Sequence, residues 1–128
     1  MEREKCFYHD ISLEYVTIKE SIPKGYLGLD IGPKTIKKFK DVLTESNTIV
    51  WNGPLGVFEL DNFAVGSKDV MLHMTKLKAT TVIGGGDTTA CCEKFECKKF
   101  MTHVSTGGGA SLELLEGKQL PGITHIIN

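Results

Sequence analysis

Three consecutive glycines occur twice in the sequence, at Gly84–Gly86 and at Gly107–Gly109. Glycine loses more conformational freedom on folding than any other residue, so a triplet indicates backbone that turns sharply or approaches another group closely. Each triplet follows a β-branched run and precedes a helix-like segment. The first N–H groups of a helix lie at its positive end and attract anions such as phosphate. The triplets therefore predict a phosphate-binding edge, although either could instead only let a helix pack closely on its strand.

Asp87 directly follows the first triplet, where a carboxylate would repel a bound phosphate unless a cation lay between them. Mg²⁺ binds through one or two carboxylates and takes its other ligands from phosphate oxygens and water. The pattern thus indicates a magnesium-phosphate site, with the hydroxyl of Thr88 as a further phosphate contact. A simpler role stays open, because aspartate is also a common helix N-cap.

Two common nucleotide-binding fingerprints are missing from the sequence. It contains neither G-x-x-x-x-G-K-[ST] nor G-x-G-x-x-G, so a nucleotide site here belongs to neither of those classes. His103 stands just before the second triplet and is a candidate general base, but no Ser or Cys nucleophile shares its motif. A lone histidine in a strand is more often a hydrogen-bonded structural group.

The elements that must hold these loops alternate between helix and strand. Apolar residues at helical spacing indicate helices, and β-branched runs ended by glycine or proline indicate strands. The expected elements are, in order, a helix over Pro33–Thr44, a strand over Thr48–Trp51, a helix from Asp61 or Asn62 to about Lys76, a strand over Thr80–Ile83, a helix from Asp87 to about Phe95, a strand over Met101–Ser105, and a helix from about Ala110 to Glu116 with Gly117 after it. This rhythm predicts an α/β fold, a parallel sheet with flanking helices that binds ligands at the carboxyl ends of its strands. Tyr15–Ile18 alternates enough for a further strand, whereas Met1–Asp10 shows no pattern.

Composition narrows the class of protein. The 128 residues are 41% apolar and 24% charged, typical of one globular domain or part of one. The net charge of −1 gives no reason to expect nucleic acid or a membrane surface as a partner, and no apolar run approaches the roughly 20 residues that cross a bilayer. We therefore expect a cytoplasmic protein. Its four cysteines form no C-x-x-C pair and are expected to be reduced, packed thiols.

Three segments together resemble phosphoglycerate kinase. They are the stretches VWNGPLGVFE at Val50–Glu59, VIGGGDT at Val82–Thr88 and HVSTGGGASLELLEGK at His103–Lys118. Their order and spacing are also similar to those of the family, most of all to its eukaryotic form. The likeness runs from about Leu13 to the C-terminus, which leaves residues 1–12 as an unassigned lead-in.

The resemblance implies a fold and an activity. The family has two α/β domains joined by a hinge, so residues 13–128 would be the later part of the C-terminal, Rossmann-like nucleotide domain. The implied reaction transfers a phosphoryl group between 1,3-bisphosphoglycerate and ADP, giving 3-phosphoglycerate and ATP, with Mg²⁺ as the cofactor. Family members generally act as monomers, and the resemblance implies a monomer here.

The resemblance also implies roles for individual residues. Gly28 and Leu29 would belong to an adenine pocket, with Asn52, Pro54 and Val57 near the base and ribose. The remaining implied roles are the ribose-hydroxyl ligand Glu59, the nucleotide-phosphate contacts Gly85, Gly86 and Thr88, the magnesium ligand Asp87, the catalytic helix start Gly107, Gly108 and Gly109 that receives the transferring phosphate, and the hinge-region residues His103 and Thr106.

The sequence departs from the family in its cations. The family carries substrate-binding arginines and histidines on its N-terminal domain, and nucleotide-binding lysines on an early loop of its C-terminal domain. No segment here matches either of them, and Val65 stands where an arginine is usual. We therefore expect the isolated chain to lack the 3-phosphoglycerate site and to be inactive. The alternative is a non-catalytic nucleotide-binding or interaction protein.

Overall fold

The computed structural model describes residues 5–7, 10–12, 24, 26–124 and 126 of the chain. Its elements are β1 (Lys5–Phe7), β2 (Asp10–Ser12), α1 (Pro33–Thr44), β3 (Thr48–Asn52), α2 (Val65–Met74), β4 (Thr80–Gly84), α3 (Gly86–Lys94), β5 (His103–Ser105), α4 (Gly108–Leu115) and α5 (Pro121–Thr124). Single 3-10 turns lie at Asp61–Phe63 and Lys98–Phe100.

The strands β3, β4 and β5 form a parallel sheet in that order, which confirms the predicted α/β architecture. The register pairs Asn52 with Gly84, and Gly84 with Ser105, so the carboxyl ends of the strands meet at one edge. Within β3, Ile49 and Trp51 are buried while Val50 is exposed, because successive side chains of a strand point to opposite faces. The sheet thus brings the three glycine-bearing loops together.

Helices α1 and α2 pack against each other beside the sheet. Lys40 Nζ lies 2.9 Å from Asp69 Oδ2, and Thr44 Oγ1 lies 2.9 Å from His73 Nε2. The bounds of α1 are those expected from the sequence, because Pro at the first helical position has a suitable φ and sacrifices no helical N–H bond. The main apolar core includes Ile36, Ile49, Trp51, Phe58, Val70, Met71, Met74, Ile83, Cys91 and Cys92.

The second helix begins later than the sequence indicates. Instead of capping a helix, Asp61 accepts a 2.8 Å hydrogen bond from the ammonium group of Lys94, and a 3-10 turn carries the completely buried Phe63 into the core. Helix α2 then starts at Val65 and ends at Met74. Both contacts that fix this turn are tertiary, so local spacing does not reveal them.

Two later elements also have different starts. Strand β5 begins at His103 rather than Met101, because Thr81 and Thr102 exchange backbone-to-hydroxyl hydrogen bonds of 3.0 and 3.1 Å in place of regular ladder bonds. Helix α4 begins at Gly108, within the second triplet. Gly117 follows it with a φ of 76°, which confirms the expected glycine beyond the helix end.

The strands β1 and β2 pair in an antiparallel register that joins Lys5 to Ser12 and Phe7 to Asp10. The sequence pattern predicted no element at Met1–Asp10, so this hairpin is a difference from expectation. The strand predicted at Tyr15–Ile18 lies outside the described residues. No helix in the described part of the chain is long and apolar enough to span a membrane.

Three cysteines, Cys91, Cys92 and Cys97, are free and buried, which confirms their expected state as packed thiols. Burial raises the pKa of the Cys91 and Cys92 thiols to about 11. These sulfurs are therefore protonated and unreactive near neutral pH.

Candidate functional site

The last residue of β3 and the loop after it connect both glycine triplets. Asn52 Nδ2 donates a 3.1 Å hydrogen bond to the carbonyl of Gly108, in the second triplet. The N–H of Gly53 donates a 2.7 Å bond to Thr88 Oγ1, two residues after the first triplet. The predicted convergence of the three loops is therefore built from specific hydrogen bonds, in addition to the register of the sheet.

The first triplet contains glycines with different surroundings. Gly85 has a φ of 95°, and a Cβ atom there would lie 2.9 Å from Asn52 Oδ1, so both conformation and space require glycine. Gly86 begins α3, and a Cβ atom added to it would meet nothing within 4 Å. Packing explains Gly85 but leaves Gly86 unexplained.

The second triplet also contains one closely packed glycine and one open glycine. A Cβ atom on Gly108 would lie 3.0 Å from the Cα of Gly85, so the two triplets are in direct backbone contact. A Cβ atom on Gly109 would meet nothing within 4 Å. Close packing and an open approach thus both occur, at different positions of each triplet.

The open glycines lie among backbone donors that have no protein acceptor. Within the described part of the chain, no hydrogen bond engages the N–H groups of Gly86 and Asp87 in α3, or those of Gly109 and Ala110 in α4. These are first-turn N–H groups, which cannot bond within their own helix. An anion placed here would find donors from both helices.

Asp87 is exposed at the second position of α3, and Gly85 occupies the N-cap position. Asp87 therefore does not act as the N-cap of this helix. The described residues contain no cluster of three or more His, Cys, Asp or Glu side chains arranged to hold a metal ion. A cation bound here would depend on Asp87 together with oxygens from a ligand and water, which suits Mg²⁺.

Thr88 is buried rather than open to a ligand. Its side chain is 1% exposed, and its oxygen accepts the bond from Gly53 described above. The hydroxyl thus holds the loop after β3 against α3. Its predicted contact with phosphate stays a prediction.

A cavity of about 220 Å³ lies beside these loops. Four of the five residues that the resemblance assigns to the base side, Gly28, Leu29, Pro54 and Val57, line it. The N–H of Val57 donates a 2.9 Å bond to the carbonyl of Leu29. Its volume is below the roughly 300–1,000 Å³ typical of sites that enclose a whole drug-sized ligand. It is suited to one portion of a ligand, such as a nucleobase. Asn52 is not among its lining residues.

Glu59 is exposed, and its backbone is held by Lys94, a residue that the sequence did not single out. The ammonium group donates to the carbonyls of Phe58 at 2.9 Å and Glu59 at 3.3 Å, and to Asp61 Oδ1 at 2.8 Å. The hydrogen bond from Lys94, together with its charge, lowers the pKa of the Asp61 carboxyl. Three bonds use all three donors of the lysine and fix the turn that carries Glu59.

Asp30 is a second residue that was not predicted from the sequence. It is only 7% exposed and lines the 220 Å³ cavity. Its carboxylate accepts 2.8 Å bonds from the N–H groups of Ile31 and Gly66. Burial raises the pKa of Asp30 above its ordinary value, and these N–H groups, with that of Val65, oppose the shift. The sequence signal was an aspartate between two apolar residues, leucine and isoleucine.

The two residues assigned to a hinge lie at opposite ends of a short strand. His103 is exposed at the start of β5, and Thr106 follows its carboxyl end, where its carbonyl accepts a 3.1 Å bond from Gly108. Thr106 is thus beside the second triplet, whereas His103 is at the far end of the strand. Their part in a hinge stays a prediction.

The sequence is similar to known phosphoglycerate kinases. The family model for phosphoglycerate kinase matches residues 4–118, so it overlaps the segment left unassigned from the sequence. Phosphoglycerate kinase of Schistosoma mansoni is 58% identical over 123 residues, covering 94% of this chain and 30% of the relative. That of the bacterium Pseudothermotoga lettingae is also 58% identical, over 109 residues, covering 85% of this chain and 28% of the relative. These identities do not separate a eukaryotic from a bacterial type.

The fold agrees with the sequence match. A solved phosphoglycerate kinase from Coxiella burnetii superposes with a TM-score of 0.81 at 39% identity, over 90% of this chain and 29% of that structure. The chain therefore spans about 30% of the length of the curated relatives it matches. The family match over most of the chain, the matching fold and the convergence of the glycine loops lead to one conclusion: this chain belongs to the phosphoglycerate kinase family.

Proposed function

We propose that this chain binds ADP or ATP with Mg²⁺ along the carboxyl edge of the sheet. The base occupies the 220 Å³ cavity, and the phosphates lie against the starts of α3 and α4. The observation that carries the proposal is the loop after β3. Its residues Asn52 and Gly53 bond to the two glycine-bearing segments, while Pro54 and Val57 line the cavity. One continuous loop thus joins a pocket of base size to a cluster of free N–H donors.

Charge explains the role proposed for Asp87. A nucleoside diphosphate carries several negative charges, and Asp87 adds another at the start of α3. Mg²⁺ between them turns this repulsion into attraction, with Asp87 as the protein ligand. Glu59, held by Lys94 through its backbone, is the proposed acceptor for the ribose hydroxyls.

We propose that the complete protein transfers a phosphoryl group from 1,3-bisphosphoglycerate to ADP. In the reverse direction, the carboxyl group of 3-phosphoglycerate accepts the phosphoryl group from ATP. The bond from phosphorus to the carboxylate oxygen breaks, and a bond to the β-phosphate oxygen of ADP forms. Catalysis of this kind depends on positioning and on neutralising charge on the equatorial oxygens. Gly107, Gly108 and Gly109 would contribute the helix start that receives the transferring group.

A polypeptide of these 128 residues is proposed to bind nucleotide without measurable turnover. Arg3 is the single arginine of the sequence, and no segment matches the nucleotide-binding lysines that the family carries. A missing cation in phosphoryl transfer costs about 10³–10⁵ in rate, judging from arginine fingers. Action in the cytoplasm as a monomer belongs to the same proposal.

Titration of the chain with Mg-ADP, followed by ¹H–¹⁵N NMR after a circular dichroism melt has established folding, tests nucleotide binding. Binding should shift the amides of Gly28 and Val57 together with those of Gly86 and Gly109. Asp87→Ala should remove the magnesium-dependent part of the shifts, and Asp41→Ala, on the exposed face of α1, should not. Absence of binding, or binding equally dependent on magnesium in Asp87→Ala, would contradict the proposed site.

A coupled assay for ATP formation from 1,3-bisphosphoglycerate and ADP tests the second part. Measurable turnover by residues 1–128 alone would overturn the argument from missing cations. Nucleotide binding without turnover is the expected result. Lack of both would favour an interaction protein whose glycine loops only shape the fold.

A further inference from the structure

Asp30 is a buried aspartate whose carboxylate contacts two separate parts of the backbone. Its two carboxylate oxygens accept bonds from Ile31, next to it in sequence, and from Gly66, at the start of α2, both at 2.8 Å. The N-cap residue of α2, Ala64, provides no side-chain cap. Asp30 therefore caps this helix from a distant part of the chain.

Two glycines make the space that the carboxylate occupies. A Cβ atom on Gly56 would lie 2.5 Å from Asp30 Oδ1, and a Cβ atom on Gly66 would also collide with that oxygen. Neither glycine has a φ in the left-handed region, so conformation does not require glycine there. Both positions need room for the Asp30 side chain, together with the Phe63 carbonyl beside Gly56 and the Ile31 side chain beside Gly66.

Asp30 lines the 220 Å³ cavity and directly follows two other residues of its wall. Gly28 and Leu29, immediately before Asp30, form one side of that cavity, and Gly56 and Val57 form another. The bond from Val57 N–H to the Leu29 carbonyl joins the two sides. A shift of Asp30 would move Leu29, and with it the width of the cavity.

We propose that Asp30 is a positioning residue for nucleobase recognition, anchoring the Gly28–Leu29 wall of the cavity to the start of α2. Asp30 acts through backbone geometry, because both of its carboxylate oxygens are already engaged by the N–H groups of Ile31 and Gly66. This inference rests on the proposed nucleotide-binding function. Asp30 should therefore affect binding of the base without affecting binding of the phosphates.

The near-isosteric variant Asp30→Asn tests this inference. An amide can accept only one of the two bonds, and its NH₂ group faces an N–H donor at the other, so the wall should shift. We expect affinity for Mg-ADP to fall about tenfold, the equivalent of one lost buried hydrogen bond. Shifts of the Gly86 and Gly109 amides on titration with Mg-pyrophosphate, which has no base, should be unchanged.

The matched control is Asp69→Asn. Asp69 lies on α2 and lines a neighbouring cavity together with Asp30, but not the 220 Å³ cavity, and it pairs with Lys40. This variant should bind both ligands as the unaltered chain does. Equal ADP affinity in Asp30→Asn and the unaltered chain would overturn the inference while leaving the proposed function intact. Failure of the unaltered chain to bind ADP would instead contradict the proposed function.

A second measurement needs no variant. Because Gly66 N–H bonds to Asp30 and lies outside the cavity lining, Mg-ADP should slow its hydrogen exchange in the unaltered chain, and Mg-pyrophosphate should have a much smaller effect. The same small effect from both ligands would count against coupling between the base cavity and α2, even if Asp30→Asn did not fold.

Discussion

Alanine substitution at neighbouring positions of the first triplet should have opposite consequences. Gly85 has a φ of 95° and a ψ of 148°, a region that is almost confined to glycine, and its added Cβ would lie 2.9 Å from Asn52 Oδ1. Gly86, the next residue, has neither a positive φ nor a neighbour within 4 Å of an added Cβ. The pair separates a structural glycine from one at an open surface.

The expected size of each effect follows from these contacts. In Gly85→Ala the backbone strain costs about 1–3 kcal/mol. Displacement of the Asn52 amide also sacrifices its 3.1 Å bond to Gly108, a loss of about 0.5–1.5 kcal/mol. The free energy of unfolding should therefore fall by about 1.5–4.5 kcal/mol. Gly86→Ala should leave it unchanged or raise it by up to about 1 kcal/mol, because alanine is the better helix former.

Urea denaturation followed by fluorescence measures this difference directly, since Trp51 is the only tryptophan and adjoins Asn52. The same samples should be titrated with Mg-ADP. Although stable, Gly86→Ala should bind more weakly than the unaltered chain, because its methyl group enters the space proposed for phosphate. Equal loss of stability in both variants would refute the distinction between packed and open glycines. Full ADP affinity in Gly86→Ala would refute the use of the open space by the ligand.

Three further changes test single contacts. Thr88→Val should lower the free energy of unfolding by about 1–3 kcal/mol in urea denaturation, because it leaves the Gly53 N–H unpaired, whereas Thr88→Ser should not. Lys94→Met should cost about 1 kcal/mol by the same measurement and broaden the Glu59 amide resonance, while Lys37→Met, which breaks an exposed pair, should cost less than about 0.5 kcal/mol. The raised pKa of Asp30 means that its carboxyl group binds a proton more tightly in the folded state than in the unfolded state, where its pKa is near 3.8. The contribution of Asp30 to the free energy of unfolding should be complete below pH 3.8. It should fall as the pH rises through the pKa of the folded state, by at most about 1.4 kcal/mol per pH unit. Urea curves across this range should show the extra slope in the unaltered chain and not in Asp30→Asn; equal slopes would contradict the assignment.

Local chemistry explains what the sequence predicted well. Pro33 begins α1 at the expected residue, and Pro54 lies just beyond the end of β3, because proline acts on its own backbone. The glycine triplets and Asp87 were likewise recognisable, since the chemistry of each depends on residues adjacent in sequence. The family resemblance, carried by the same segments, is confirmed by the match over residues 4–118.

Distant contacts explain what the sequence did not reveal. The bonds from Gly66 N–H to Asp30 and from Lys94 to Phe58 each join residues 36 positions apart, and neither belongs to a recurring spacing. The late start of α2 has the same origin, because Lys94 engages Asp61 and removes it as a cap. The sequence suggested close packing of a helix on its own strand as the alternative to ligand binding, whereas each triplet of the structure contains both a closely packed glycine and an open one.

The helices that follow the three sheet strands differ in how their first N–H groups are used. In α2, which starts against the core, Asp30 supplies an internal carboxylate that accepts from Gly66. In α3 and α4, no acceptor among the described residues reaches the N–H groups of Gly86 or Gly109, and the glycines there keep the approach open. Since a helix start buried without a partner would be costly, the first case serves folding. The two exposed starts can accept an external anion instead, which is why we place the phosphates there and assign Asp30 to the geometry of the base cavity.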